Sequence, residues 1–276
     1  MASQSQQSNT RPYLLNVPSL NKSVSLWVHD QRDQHVSKGI AEQGIWESYE
    51  TQLFMQRLKP GINVVDVGAN IGYYSVIAAD QLAGSGYIAA FEPDPENYQL
   101  LQKNLQHNQF DAIDAVKVDA VHAGLAGQDS EGELFLNDSN FGDHQIYDAG
   151  EGRASRSIRL LNGSDYLQQK IQHIDLLKID TQGAESAVIA GLLPLLQNSG
   201  DKLSIIIEFW PYGLRQSGSS AHQLVDMLSS LNLPIRIIDH LDRNLLHCTE
   251  QQLREWVDMV ETNPQDQGFM NILLGK

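Results

Sequence analysis

The chain predicts an α/β fold, a mostly parallel sheet with helices on both faces, and three observations carry that prediction. Short apolar runs of strand length alternate with helix-period segments from Asn63 to the end of the chain. A glycine-rich turn, Asp66-Val67-Gly68-Ala69-Asn70-Ile71-Gly72, joins the first of those runs to the helix after it. Acidic residues then recur directly after successive strands, where ligands of open parallel sheets bind.

Taken in order, residues 1–12 begin Ser/Gln-rich and are expected as a disordered tail. Residues 13–60 are expected to pack on the main domain as strands and a helix. Leu15, Val17, Val24, Leu26 and Val28 alternate with polar or aromatic neighbours, which predicts two short strands between Tyr13 and Val28. Trp46, Tyr49, Leu53, Phe54 and Leu58 share one helical face, predicting a helix over Gly44 to Leu58 that Pro60-Gly61 ends. The main domain, residues 61–276, opens with a strand at Asn63 to Val67 and a helix from Tyr74 to Leu82. A strand at Tyr87 to Phe91, a helix at Glu96 to His107 and a third strand at Ala115 to Val118 follow. Residues 123–157, rich in Gly, Asp, Asn and Ser, read as an irregular insertion with one small strand at Glu133 to Leu136. Beyond it come a strand at Ile174 to Ile179, a helix at Ala184 to Leu196 and a strand at Leu203 to Phe209. The chain closes with a helix at Ala221 to Leu231, a strand at Ile235 to Ile238, a helix at Thr249 to Val260 and a strand at Phe269 to Leu274. Thr249 and Gln252 form a capping box at the start of that last helix.

Composition narrows the function classes. With 276 residues the chain suits one large domain, or one domain with an extension. Its formal net charge of -15 repels phosphate backbones, so nucleic acid is not an expected partner. Arg153, Arg156 and Arg159 form the nearest thing to a basic patch, and their spacing reads as a solvated strand or loop face. Cys248 is the sole cysteine, which leaves no intrachain disulfide and no iron–sulfur cluster and fits a reducing, cytoplasmic setting. No apolar run reaches the roughly 18–20 residues of a membrane span, so no membrane partner is expected. The first residues carry neither a charged nor an apolar signal region.

The glycine loop alone is ambiguous, because nicotinamide, flavin and nucleotide enzymes use the same geometry. Its glycines permit a tight turn and close approach to a ligand, and the next helix points free N–H groups at the same place. Its spacing, Gly68-x-Asn70-x-Gly72, is not the dinucleotide fingerprint. Asp66 beside a pyrophosphate would be repulsive, at on the order of 1–4 kcal/mol for about 4 Å. Beside a ligand carrying an ammonium and a sulfonium it would be attractive, and S-adenosylmethionine is such a ligand. Glu92, 20 residues after Gly72, is placed to accept hydrogen bonds from ribose hydroxyls, with Pro93 turning the chain there. Asp119 and Ala120, after the third strand, are expected at the adenine, Asp119 alternatively serving as a turn cap. Tyr73, directly after the loop, completes the expected cofactor set.

Three segments now resemble a known family. Val64 to Gly72, Ala90-Phe91-Glu92-Pro93-Asp94-Pro95 and Leu177-Lys178-Ile179-Asp180-Thr181-Gln182-Gly183-Ala184-Glu185 are similar to motifs of the FkbM-type methyltransferases, class I enzymes using S-adenosylmethionine. Trp46-Glu47 and Glu50-Thr51 resemble the family's lead-in to the loop. Gln182 stands where the family usually has Glu. The resemblance, over roughly Trp46 to Leu274, implies a Rossmann-like fold whose seven-stranded sheet has its last strand antiparallel beside the fifth. It also implies S-adenosylmethionine as cofactor and an acceptor that is a sugar or natural-product hydroxyl, or alternatively a peptide side-chain amide. A nucleotide-dependent oxidoreductase and a non-catalytic binding module are the readings from other classes.

A hydroxyl acceptor must lose its proton, normally to His, Asp or Glu. Asp180, after the fourth core strand, is the leading catalytic candidate, as base or substrate clamp, and would also touch the cofactor; a helix cap is its structural alternative. Glu185 is either a second acid in the cleft or first-turn helix stabilisation. Asn140, Phe141 and His144 lie in the insertion, which is expected to act as a substrate lid, with His144 its best histidine base. Gln182, Glu208 and Trp210 are expected around the acceptor, and no metal site is expected.

Overall fold

Strand alternation decides which face of the sheet each side chain reaches. In Asn63–Val67, Val65 and Val67 enter one apolar core and Val64 the opposite one, so Asp66 shares the face of Val64. The same phase recurs in Leu176–Ile179, where Leu176 and Lys178 face the Val64 side, and in Ser204–Phe209, where Ile206 and Glu208 do. One face of three adjacent strands therefore carries an acid, a lysine and an acid within apolar runs.

The computed structural model describes residues 11–110, 116–150 and 152–276. Residues 1–10 of the expected tail, and Ala115 at the start of the expected third strand, lie outside the described residues. The chain begins with β1 (Tyr13–Leu14) and β2 (Ser25–Leu26), paired antiparallel as Tyr13 with Leu26 and Leu14 with Ser25. Two helices follow, α1 (Val36–Gln43) and α2 (Ser48–Met55). The expected single helix from Gly44 is corrected here. Gly44 sits at φ +70 as the C-cap of α1, donating its N–H to the Ile40 carbonyl at 2.8 Å. A Cβ there would lie 2.9 Å from the Leu14 carbonyl oxygen, so this glycine stops one helix instead of starting another.

The main domain then runs β3 (Asn63–Val67), α3 (Tyr73–Leu82), β4 (Tyr87–Phe91), α4 (Pro95–His107) and β5 (Lys117–Val121). The supposed irregular insertion is a small sheet of its own. Its strands are β6 (Gly124–Ala126), β7 (Ser130–Phe135) and β8 (Ser155–Asn162), in the order β6-β8-β7. Next come α5 (Gly163–Leu167), β9 (Leu176–Ile179), α6 (Glu185–Ser199), β10 (Ser204–Phe209), α7 (Pro211–Gln216) and α8 (Ala221–Ser229). The last elements are β11 (Ile235–Asp239), β12 (Asn244–Cys248), α9 (Glu250–Glu261) and β13 (Met270–Gly275). The capping box of α9 forms as expected, with Thr249 and Gln252 bonding reciprocally.

The main sheet has the order β12-β11-β13-β10-β9-β3-β4-β5. From β5 to β10 the pairs are parallel, and β13 pairs antiparallel with β10 and β11. The fold is thus the Rossmann-like α/β arrangement, with the final strand inserted antiparallel beside the fifth. An eighth strand, β12, extends the edge by pairing antiparallel with β11. Helices α1 to α4 cover the Val64 face, and α5 to α9 cover the other. Among the described residues no helix is long and apolar enough to cross a membrane.

Candidate active site

The carboxyl ends of β3, β4, β9 and β10 open into two adjoining cavities. One, of about 590 Å³, is lined by Glu92, Pro93 and Asn97 with apolar side chains of Leu125, Leu134 and Ile158. The other, of about 950 Å³, is lined by four carboxylates (Glu47, Asp66, Asp180, Glu208), Lys178 and several aromatic side chains. Gly68, Asn70, Gly142, Asp180 and Gln182 border both cavities.

The glycine loop builds the shared wall. Gly68, at φ +78, is required by packing: an added Cβ would fall 2.0 Å from the Asp180 carbonyl oxygen. Gly68 and Ala69 both donate N–H to the Phe91 carbonyl at 3.0 Å, which ties the loop to β4. Asn70 is left-handed at φ 51, and its N–H donates to the Glu92 carboxylate at 2.7 Å. Gly72, at φ +89, starts α3 against Leu101. The other Glu92 oxygen accepts the Asp94 N–H at 2.8 Å. Burial, only partly offset by those N–H groups, pushes the Glu92 carboxyl up to about 8. Asp66 accepts the Ser75 hydroxyl at 2.6 Å, and burial raises it to about 6 against the pull of Ser75 and Lys178. Tyr73 borders the larger cavity, but its hydroxyl is held by the Thr51 hydroxyl at 3.1 Å and by the Trp46 backbone.

Asp180 divides its carboxylate between two neighbours. Lys178 Nζ lies 3.3 Å from one oxygen, and Gln182 Nε2 donates to the other at 3.0 Å. Gln182 takes a left-handed φ of 52 and also donates to both oxygens of Glu208 at 3.2 Å. Asp180 makes no cap: the α6 N-cap residue is Ala184, without a side-chain bond. Burial first, then Asp180 and Glu185, holds the Glu208 carboxyl well above the ordinary range. Asn140 borders the larger cavity and Phe141 the smaller. The lid segment is tied down. Phe141 lies 4.4 Å from the His29 ring, its carbonyl accepts Asn97 Nδ2 at 3.1 Å, and Ser139 accepts the Gln34 N–H at 2.9 Å.

Several expected residues lie elsewhere or act differently. Strand β5 ends at Val121, which puts Asp119 inside the strand and away from both cavities. Asp119 instead accepts Tyr87 at 2.7 Å and Tyr166 at 3.1 Å and pairs with Lys170. Ala120 likewise lies inside β5, in register with Ala90, and its carbonyl accepts the Tyr98 hydroxyl at 3.1 Å. Glu185 is wholly buried and folds back on its own turn, accepting the N–H groups of Thr181 and Gly183, which is the helix-stabilising alternative. His144 borders the smaller cavity, but its Nδ1 accepts the Asn137 N–H at 3.0 Å. The neutral ring then carries its proton on Nε2, which leaves it no free basic nitrogen. Burial holds this ring below the ordinary histidine value. Trp210 borders neither cavity: it packs over Gly213, and its indole N–H donates to Gln267 at 3.2 Å. Of the arginines read as a solvated face, Arg156 pairs with Asp94 and Glu96, and Arg153 with Asp143.

The polar cavity also contains what sequence reasoning passed over. Glu47, Lys178 and Phe269 line it, and Glu50 stands behind Lys178. Lys178 and Glu50 are both buried, with Nζ 3.0 Å from the Glu50 carboxylate. Burial raises Glu47 well above its ordinary range, Glu50 adding to the effect. The available signal was phase: a lysine within Leu-Leu-Lys-Ile occupies a core-facing strand position.

Comparison with known proteins identifies the family. The Methyltransferase FkbM domain model matches residues 66–232, more than half of the chain. Methyltransferase sdnD of Sordaria araneosa is 30% identical over 189 residues, covering 55% of this chain and 68% of that protein. Methyltransferase 1 of Beauveria bassiana is 25% identical over 149 residues, covering 47% of this chain and 57% of that protein. Among solved structures, the FkbM methyltransferase of Methylobacillus flagellatus KT aligns with a TM-score of 0.46 at 15% identity, covering 78% of this chain and 43% of that one. The chain belongs to the FkbM methyltransferase family.

Proposed function

We propose that the protein transfers the methyl group of S-adenosylmethionine to a hydroxyl of a sugar or natural-product small molecule. The observation that carries the reading is the acid-rich lining of the larger cavity, four carboxyl groups with one ammonium, beside a smaller cavity with apolar walls and one buried acid. A ligand with a cationic, amino-acid-like end and a neutral nucleoside end suits that pair. Asp66, buried and hydrogen-bonded by Ser75, fits the cationic end, and Glu92 with Pro93 and Leu125 fits the nucleoside end.

When bound, the cofactor supplies a methyl group activated by its sulfonium. The chain's own residues hold the acceptor in line and take its proton, and positioning of this kind is worth several kcal/mol. Glu208 is the proton acceptor in this reading. Among the described residues its carboxylate has one hydrogen-bond donor, the Gln182 amide, whereas Asp180 has two, Lys178 and Gln182, and a raised carboxyl suits a base acting near neutrality.

Calorimetric titration with S-adenosylmethionine, S-adenosylhomocysteine and NADH tests the reading. Binding of the two sulfur ligands without NADH supports it; binding of NADH alone overturns it.

A further inference from the structure

Acids from α2, β3, β9 and β10 surround Lys178. Glu47 and Glu50 approach from the start and body of α2, Asp66 from β3, Asp180 from the end of β9 and Glu208 from β10. The Tyr74 ring of α3 lies 5.2 Å from the ammonium, and His240 lies 4.0 Å from the far oxygen of Glu50. Glu50 is itself secured, accepting Asn271 Nδ2 of β13 at 2.6 Å. A continuous chain of polar contacts thus runs from Asn271 through Glu50, Lys178, Asp180 and Gln182 to Glu208, linking three adjacent strands of the sheet, β13, β10 and β9.

We propose that Lys178 is the positioning residue of this site: anchored from behind by Glu50, it holds the Asp180 carboxylate at the junction of the two cavities and sets how much negative charge faces a cationic cofactor. The inference rests on the methyltransferase reading above. It makes α2, which lies outside the span matched by the family model, a working part of the site. A buried ion pair contributes little net stability compared with well-packed apolar residues. Its position between the two cavities and the core points instead to orientation and charge balance. Burial pulls the lysine's own titration down, and Asp180, Glu50 and Glu47 outweigh it, leaving the ammonium well above its ordinary range. The lysine in turn lowers Asp66, Glu47 and Glu208.

The test is the pH dependence of S-adenosylmethionine and S-adenosylhomocysteine affinity, by calorimetry between about pH 5 and 8.5. The variants are the double substitution Lys178→Met with Glu50→Gln, which strands neither charge, and Glu50→Gln alone. In the wild type, affinity for the sulfonium ligand should rise as Asp66 ionises, around pH 6. In the folded double variant that midpoint should move up by about one pH unit or more, with about a tenfold loss at pH 7, the equivalent of about 1.4 kcal/mol. S-adenosylhomocysteine, which keeps the ammonium and carboxylate but lacks the sulfonium charge, should lose about threefold at most, well under about 1.4 kcal/mol. The single variant, which removes a negative charge and leaves the ammonium facing the cavity acids, should shift the midpoint in the opposite direction, downward. A folded double variant with wild-type midpoint and affinity overturns the proposal. If the double variant does not fold, an unchanged profile in Glu50→Gln overturns it. A wild type that binds neither sulfur ligand overturns the parent reading, which separates the two failures.

Discussion

Replacing Glu92 with Gln should stabilise the ligand-free protein at alkaline pH while damaging its cofactor site. The carboxyl is raised by burial from 4.5 to about 8, so the fold binds its proton more tightly than the unfolded chain does. Stability from this group is therefore present below about pH 4.5 and is lost as pH rises through about 8. At about 1.4 kcal/mol per pH unit, the loss is on the order of 4 kcal/mol by pH 8. The amide has its own cost, because both Glu92 oxygens accept backbone N–H groups, from Asn70 and Asp94. One of those N–H groups would face an NH2, at about 1–3 kcal/mol. The net expectation is a variant about 1–3 kcal/mol more stable than wild type at pH 8 and less stable at pH 5. Thermal melting of both proteins from pH 5 to 8.5 reads this crossover directly. Calorimetry at pH 8.5, above the Glu92 value of about 8, should show affinity for S-adenosylhomocysteine falling about tenfold or more, since a charged acceptor for ribose is lost. A variant less stable than wild type by the same margin at both ends of the range would refute the reasoning.

Three further outcomes follow from the same geometry. Asp66→Asn should weaken S-adenosylmethionine by about tenfold or more and S-adenosylhomocysteine less, because only the former carries the sulfonium charge; equal losses in calorimetry would contradict that placement. Gly68→Ala should lower the melting temperature by several degrees or prevent folding. A Cβ 2.0 Å from the Asp180 carbonyl adds a backbone clash to a left-handed strain of about 1–2 kcal/mol, and an unchanged melt would show that the loop yields freely. Asp119→Asn should destabilise the protein by loosening Tyr87, Tyr166 and Lys170 but leave S-adenosylhomocysteine affinity unchanged; a large affinity loss would return this acid to the site.

Much of this was legible in the sequence because it depends on local rules. The order of parallel strands and helices follows from hydrophobic period, and the loop from Asp66 to Gly72 announces itself through glycines between a strand and a helix. Glu92 was readable as the acid at the next strand end. Errors arose where tertiary packing set a boundary. Strand β5 runs to Val121, which turned Asp119 from a strand-end residue into an ion-pair partner of Lys170. Gly44 reads as a helix start only while its contact with Leu14 is unknown. The loop between β7 and β8 carries too little periodicity to show that those strands pair across it. Lys178 and Glu50 escaped because their partners lie 128 residues apart in the chain, and no local pattern reports such a pair. His144 was visible as a histidine near the cleft, yet its role turns on a single backbone N–H from Asn137.

The most direct measurement is a crystal structure of the protein with S-adenosylhomocysteine. The account predicts the ribose hydroxyls on the Glu92 carboxylate, the base between Pro93 and Leu125, and the amino-acid end directed toward Asp66. A nucleoside seated against Asp119, or a ligand outside both cavities, would contradict it.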